Sequence, residues 1–271
     1  MKIFQIILKE IKDSYKGILI FTVLLSLFFM WFVSFYDPEL FAGMEDILDS
    51  YPDAIKQLVG DFLSLTIFSG YINVYLFALA WFYFGLYFIM KTTQDIPKEI
   101  ENKTIDLVLS KPIKRWKFVI GKYFHYVFLT FFMVICVALC FFLGIFIFPN
   151  VNPSEVYFIE LIVAFIWLFV FLVALISTSL ILSTFLKPRR ALALGLGIVI
   201  FFYIIGAFWE NFDESLQGIK YTSIFYYFET SNLLVNQVWD NVLRDILILT
   251  GYSVFLVVAS ILIFNRRDIP V

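Results

Sequence analysis

Few residues in this chain have side chains that could bind a phosphate or a metal or act in catalysis, and their spacing does not support catalysis. A phosphate-binding loop needs a glycine, four further residues and then Gly-Lys followed by Ser or Thr. Gly121-Lys122 is instead followed by Tyr123, and Trp116 stands where the first glycine should be. The sequence also has no His/Glu metal spacing and no nucleophile with a plausible base. We therefore expect no enzyme activity, no bound cofactor and no metal site in this chain.

Acidic residues, two cysteines and one histidine are the remaining candidates. The seven acidic residues from Asp37 to Asp61 lack the alternating spacing of a calcium loop, so solvated helix faces are the favoured interpretation. Cys136 and Cys140 share one apolar run, which excludes a disulfide framework and a cysteine zinc site. His125 lies at the edge of the same run, and we interpret it as an interfacial or packing residue rather than a proton carrier.

The elements that must hold these residues are membrane helices. The chain is 62% hydrophobic and 15% charged, against roughly 45–50% apolar and about 25% charged in a soluble domain. Its charged residues leave six long uncharged runs, and about 20 apolar residues suffice for a helix to cross a bilayer. We predict an all-α polytopic membrane protein with one transmembrane domain over residues 1–271. The six transmembrane helices are expected at approximately 17–36, 66–90, 118–148, 160–186, 191–209 and 246–265.

The basic residues predict the orientation. With the N-terminus in the cytoplasm, 17 of the 20 basic residues fall inside, and only Lys56, Lys220 and Arg244 fall outside. This skew satisfies the positive-inside rule. We therefore expect a multi-pass protein of the cell (plasma) membrane with both termini cytoplasmic, outer loops at 37–65 and 210–245, and no nucleic-acid partner.

The N-terminal segment, residues 2 to 16, is amphipathic. Its apolar arc contains Ile3, Phe4, Ile7, Leu8, Ile11 and Tyr15, and its polar arc contains four lysines and Asp13. Such a helix is typical of the membrane interface. The alternative is that it extends the first transmembrane helix.

The loop of residues 91–117, between the second and third predicted spans, carries an unusual apolar stretch. Four of the six residues from Thr104 to Leu109 are aliphatic, and Pro112 disfavours helical geometry at Lys111. This pattern predicts a short apolar-faced helix displayed in the cytoplasm. Solvated loops rarely expose so many aliphatic side chains unless something covers them. Docking into a groove of a soluble partner is the functional interpretation, and an ordinary positive-inside loop is the alternative.

Two further patterns concern contacts within or beside the membrane. Ala191 with Gly195, and Ala193 with Gly197, form small-xxx-small spacings in the fifth span, which permit close helix approach and suggest a dimer seam. The aromatic residues 221–228 suit short outer helices at the membrane surface before the sixth span.

Several of these motifs together resemble the ABC-2 type permeases, the membrane subunits of ATP-binding-cassette exporters. The resemblance runs over the whole chain and is carried by Lys9-Glu10, by residues 51–60 (YPDAIKQLVG), by Glu99-x-Glu101 through Pro112, by Gly121-Lys122 and by Arg266-Arg-Asp268. The inner-loop pattern is the most specific of these motifs.

The resemblance implies roles for three segments. The N-terminal helix, with Lys9 and Glu10, would be an interfacial elbow helix, and the segment before the sixth span would form the short outer helices. The loop of residues 91–117 would contain the cytoplasmic coupling helix that docks on the ATPase. The implied coupling residues are Glu99, Glu101, Thr104, Ile105, Leu107, Val108, Leu109 and Pro112.

The resemblance also implies partners. These are two ATP-binding-cassette ATPase subunits, which would bind ATP and Mg, a second copy of this permease or a related one, and membrane lipid. The implied function is a permease that forms the substrate path of an exporter. An ATP-independent channel or secondary carrier is the first alternative, and a membrane scaffold or sensor is the second. Spans so poor in charge favour a hydrophobic or amphipathic cargo over a bare ion.

Overall fold

A computed structural model describes residues 3–38, 65–104, 114–213 and 215–267. All regular secondary structure in these ranges is helical. Each of six helices is long and apolar enough to cross a membrane, which confirms the predicted all-helical fold and its six spans. The six helices are α1 (Ile3–Phe32), α2 (Phe68–Glu101), α3 (Arg115–Ile147), α4 (Phe158–Phe185), α5 (Pro188–Phe208) and α6 (Val242–Arg266).

Helix α1 runs without interruption through the N-terminal segment and the first span. Its apolar, membrane-length part is Ser14–Phe35, which includes a terminal 3-10 turn at Val33–Phe35. The face that α1 buries begins with Ile6, which is 2% exposed, whereas Phe4 and Leu8 are exposed. The segment and the span are therefore one continuous helix, and the location of the segment at the membrane surface stays a prediction.

Helix α2 continues well beyond the end expected at residue 90. Its last α-helical stretch is Leu86–Glu101, with Pro97 inside it, and the chain then turns at Lys103, which has a φ of 55°. Earlier in the same helix, Asn73–Ala78 and Trp81–Gly85 are π-helical. Such wider turns occur frequently at functional sites.

The hydrophobic core is built around α4, which packs against α2, α3, α5 and α6. Phe171, Leu172 and Leu175 of this helix are fully buried. Helix α1 packs mainly along α3. The bundle therefore brings the N-terminal segment onto the helix that follows the 91–117 loop.

Short helical segments connect α5 to α6. They are the 3-10 turns Trp209–Asn211 and Gln217–Thr222 and the α-helix Thr230–Leu234. The Thr230 hydroxyl donates a hydrogen bond to Asn73 Oδ1 at 2.6 Å, and Trp167 Nε1 donates to the Tyr227 carbonyl at 2.9 Å. These bonds anchor the connection on α2 and α4. Its place on the outer side of the membrane stays a prediction.

Candidate functional site

The most concentrated group of charges in the described residues surrounds Lys122, in the second turn of α3. This side chain is buried, with 1% of its surface exposed. Its Nζ lies 2.8 Å from Glu10 Oε2, 3.0 Å from Asp95 Oδ1 and 2.6 Å from Glu99 Oε1. These four residues, here named the Lys122 cluster, join α1, the last turns of α2 and the start of α3.

Local sequence explains how the three helices meet. Ile6 and Glu10 are four residues apart on α1, and Asp95 and Glu99 are four apart on α2, so each pair lies on one helix face. Gly121 precedes Lys122 and lets α1 approach closely, because a Cβ at this glycine would lie 2.8 Å from Ile6 Cγ2. The same close contact places Glu10 beside the ammonium group.

The cluster holds three carboxylates against one ammonium. Asp95 Oδ2 and Glu99 Oε2 are buried and have no hydrogen-bond partner among the described residues. Burial raises the pKa of Glu10, the Lys122 ammonium opposes the rise, and Asp95 and Glu99 add to it. The pKa of Glu10 is therefore raised mainly by burial and further by the neighbouring carboxylates.

The carboxylates of Glu10, Asp95 and Glu99 lie close enough together to hold a metal ion. The ammonium of Lys122 already contacts all three of them and supplies the positive charge. A metal would have to displace this buried side chain, so we interpret the cluster as an ion-pair junction.

His125 lies one turn after Lys122 and is 2% exposed. Its Nε2 is 3.3 Å from Ser14 Oγ, and that hydroxyl donates to the Glu10 carbonyl at 2.8 Å. The histidine therefore packs against α1, as the packing interpretation of the sequence expects.

The predicted coupling residues divide into two groups. Glu99 belongs to the Lys122 cluster, Glu101 is exposed, and Thr104 bonds through its backbone N–H (3.0 Å) and its hydroxyl (3.2 Å) to the Glu99 carbonyl. The residues outside the described part of the chain are Ile105, Leu107, Val108, Leu109 and Pro112. Of the predicted elbow pair, Glu10 is in the cluster and Lys9 is exposed.

The second end of the 91–117 loop is also tied to the bundle. Arg115 Nη1 donates to the Arg267 carbonyl at 2.6 Å, and Arg267 Nη1 donates to the Thr184 carbonyl at 2.8 Å. These bonds link the first residue of α3 to the ends of α4 and α6. Both ends of the loop are therefore fixed by buried or partly buried polar contacts.

The small residues of α5 face in different directions. Ala191 is fully buried, and a Cβ on Gly195 would lie 2.8 Å from Thr93 Cγ2, so this face packs on α2 of the same chain. Ala193 is exposed, and a Cβ on Gly197 would meet no atom within 4 Å. Ala193 and Gly197 are thus the members of the predicted seam that a second chain can reach.

Sequence reasoning missed Asp95 as a site residue and treated Lys122 as a topology determinant. Two signals for them exist in the sequence. Asp95 and Glu99 have the four-residue spacing of one helix face, and Lys122 lies inside the predicted third span, where a charge needs a partner.

The helices and the cluster define a six-span helical membrane protein with a charged junction at one end of its helices. The sequence model of the family described as ABC-2 family transporter protein matches residues 4–269 of this chain. The chain therefore belongs to the ABC-2 family of transporter proteins, and the resemblance drawn from its motifs is confirmed. A comparison with curated proteins gives no significant match.

Proposed function

We propose that this chain is the permease subunit of an ATP-binding-cassette exporter and is driven by separate ATPase subunits that bind ATP and Mg. Family membership supports the transporter class. The observation that carries the coupling part is the Lys122 cluster, which joins Glu10 of the predicted elbow to Glu99 at the start of the predicted coupling segment. A motor docked on the 91–117 loop would therefore act directly on the transmembrane bundle.

The complete complex would contain two permeases and two ATPase subunits in the cell membrane. Both termini and the 91–117 loop would be cytoplasmic, where ATP is available. The exposed face of α5 around Gly197 offers close approach to a second permease. The substrate path would form between the permeases, and their weakly charged spans favour a hydrophobic or amphipathic substrate.

An ion-coupled carrier is the alternative that the buried charges raise, because ionisable residues within spans often form relays. In this chain Asp95 and Glu99 lie in the last turns of α2, and Lys122 and His125 lie in the first turns of α3. They gather at one end of the bundle, whereas a relay needs groups along its length. The geometry therefore favours a mechanical junction.

Copurification tests the proposal. The tagged wild-type chain, extracted from its native membranes in mild detergent, should retain an ATP-binding-cassette ATPase. Leu107→Asp or Leu109→Asp would place a charge in the docking contact. Loss of a buried interface anchor typically costs about 2 kcal/mol or more, roughly thirtyfold in affinity. We expect whichever variant carries the docking-face leucine to lose the ATPase while inserting normally.

Leu216→Asp is the matched control, because Leu216 is 47% exposed and lies in the predicted outer connection. It should keep the ATPase at the wild-type level. Retention by both loop variants would show that this loop is not the coupling element. Absence of any ATPase from the wild-type preparation would contradict the proposed function itself.

A further inference from the structure

We propose that Lys122 is a positioning residue that holds the N-terminal segment of α1 and the base of the 91–117 loop together as one mechanical body. The importance of this joint for transport rests on the proposed function. The existence of the joint does not, since it is a property of this chain alone.

The ammonium group of Lys122 lies at the base of the 91–117 loop. Helix α2 ends at Glu101 and α3 begins at Arg115, so the last turns of α2 and the first turns of α3 form the base of the loop. From α3, Lys122 Nζ contacts Asp95 and Glu99 of α2, and it also contacts Glu10 of α1. One side chain thus connects three helices that are distant in sequence.

The nature of the contact makes the joint stiff. Apolar burial is non-directional, whereas a charged hydrogen bond requires a defined distance and direction. A buried ammonium group cannot leave its carboxylates without creating unpaired buried charges, which is strongly unfavourable. The contact of Ile6 with Gly121 fixes the α1–α3 separation one turn away from Glu10. Ion pairing and close packing together define one position of α1 against the loop base.

The charges also show which of the three contacts of Lys122 can be removed without leaving its ammonium group unpaired. Without Glu10, Lys122 would still bind Asp95 and Glu99 and the cluster would carry less excess negative charge. Glu10→Leu should therefore fold while it releases α1 from the junction. Lys9→Leu is the matched control, because Lys9 is exposed and precedes Glu10 on the same helix.

The experiment measures the distance between spin labels at Lys12 and Lys98, both exposed, on α1 and α2. The protein is the full chain alone in lipid nanodiscs, with Cys136 and Cys140 replaced. Wild type and Lys9→Leu should each give one narrow distance population. Glu10→Leu should lose that population and give a broad distribution. A narrow, wild-type distribution in Glu10→Leu would overturn the proposal.

A neutral side chain of the same shape separates an ionic joint from simple volume filling. Glu10→Gln keeps the size of the side chain and removes its charge, so it should give the broad distribution of Glu10→Leu. Lys122→Arg, which retains the cation beside Asp95 and Glu99, should keep the narrow population. A narrow distribution in Glu10→Gln would contradict the ionic joint, because a purely steric role for Glu10 does not need its charge.

A final comparison separates this proposal from the proposed function. In the complex with the ATPase, Mg-ATP and vanadate should shift the distance between labels at Lys12 and Gln217 in wild type and fail to shift it in Glu10→Leu. An unchanged shift in Glu10→Leu would contradict the role of the joint in transport. If no ATPase associates with the chain, the proposed function fails, and the measurements on the chain alone still decide the joint.

Discussion

Lys122 lies in a helix that is otherwise almost entirely apolar, and its environment explains how the charge is tolerated. Transfer of an ammonium group into a low-dielectric interior is costly unless it is paired and hydrogen-bonded. Three carboxylates lie within hydrogen-bonding distance of its Nζ. They overcompensate the charge, and burial with this excess raises the pKa of Glu10.

The raised pKa of Glu10 predicts a pH dependence of stability. Its carboxyl binds a proton more tightly in the folded protein than in the unfolded chain, so its contribution is fully present below the ordinary glutamate pKa. It is lost as the pH rises through the raised value. One component of the midpoint temperature of thermal unfolding of the wild type should therefore decrease as the pH rises from the ordinary glutamate pKa to the raised value. Tryptophan fluorescence at a series of pH values measures it.

Glu10→Gln should remove this component, whereas Glu101→Gln, at an exposed position, should keep the wild-type profile. An identical pH profile for Glu10→Gln and wild type would show that Glu10 does not exchange a proton over this range.

Two members of the Lys122 cluster, Glu10 and Glu99, were given a site role from the sequence, and two were not. Glu10, Glu99 and Lys122 all stand in motifs that resemble the ABC-2 permeases, but the resemblance implied no role for Lys122. Asp95 was assigned to a loop, and Lys122 was counted with the topology determinants. Their pairing depends on contacts between residues 10, 95, 99 and 122, and the spacing within a single helix cannot supply that information.

At the scale of elements, α1 and α3 approach each other closely at two glycines. Gly121 and Gly144 are 23 positions apart on α3, and both face α1. A Cβ on Gly121 would meet the flexible side chain of Ile6, but a Cβ on Gly144 would lie 2.8 Å from the Met30 carbonyl oxygen. A backbone atom can move less than a side chain can. The contact at Gly144 therefore sets the distance between α1 and α3 near this residue.

Gly144→Ala should therefore destabilise the protein. Overpacking a close contact typically costs about 1–3 kcal/mol. Gly251→Ala in α6 is the matched control, since no atom lies within 4 Å of a Cβ there and alanine favours helix formation. The midpoint of thermal unfolding in the same detergent should fall for the first variant and stay level or rise for the second. Equal midpoints would contradict the packing described for α1 and α3.

The sequence predicted the number and order of the membrane helices, because long apolar runs leave few other structures open to the chain. It did not predict that α2 extends to Glu101, since the charged residues after position 90 indicate a loop as readily as a solvated helix. The π-helical turns of α2 were also not anticipated. The first of these turns begins at Asn73, which accepts a hydrogen bond from Thr230, a contact between segments far apart in the chain.

At the scale of the whole molecule, the proposed orientation follows from the positive-inside skew of 17 basic residues to three. Single cysteines at Asp49 and Gln217, in a cysteine-free background, should react with an impermeant thiol reagent in intact cells. A cysteine at Lys103 should react only after lysis. Labelling at Lys103 in intact cells would reverse the orientation and place the loop of residues 91–117 away from cytoplasmic ATP.

The central claim is that this chain is the permease subunit of an ATP-driven exporter and does not itself hydrolyse ATP. ATP hydrolysis in proteoliposomes, measured with the purified chain alone and with its copurifying ATPase restored, tests it most directly. The chain alone should hydrolyse no ATP, because it lacks a phosphate-binding loop. Hydrolysis should appear when the ATPase is added and should fall when Leu107 and Leu109 are both replaced by aspartate. Robust hydrolysis by the verified single chain would contradict the account.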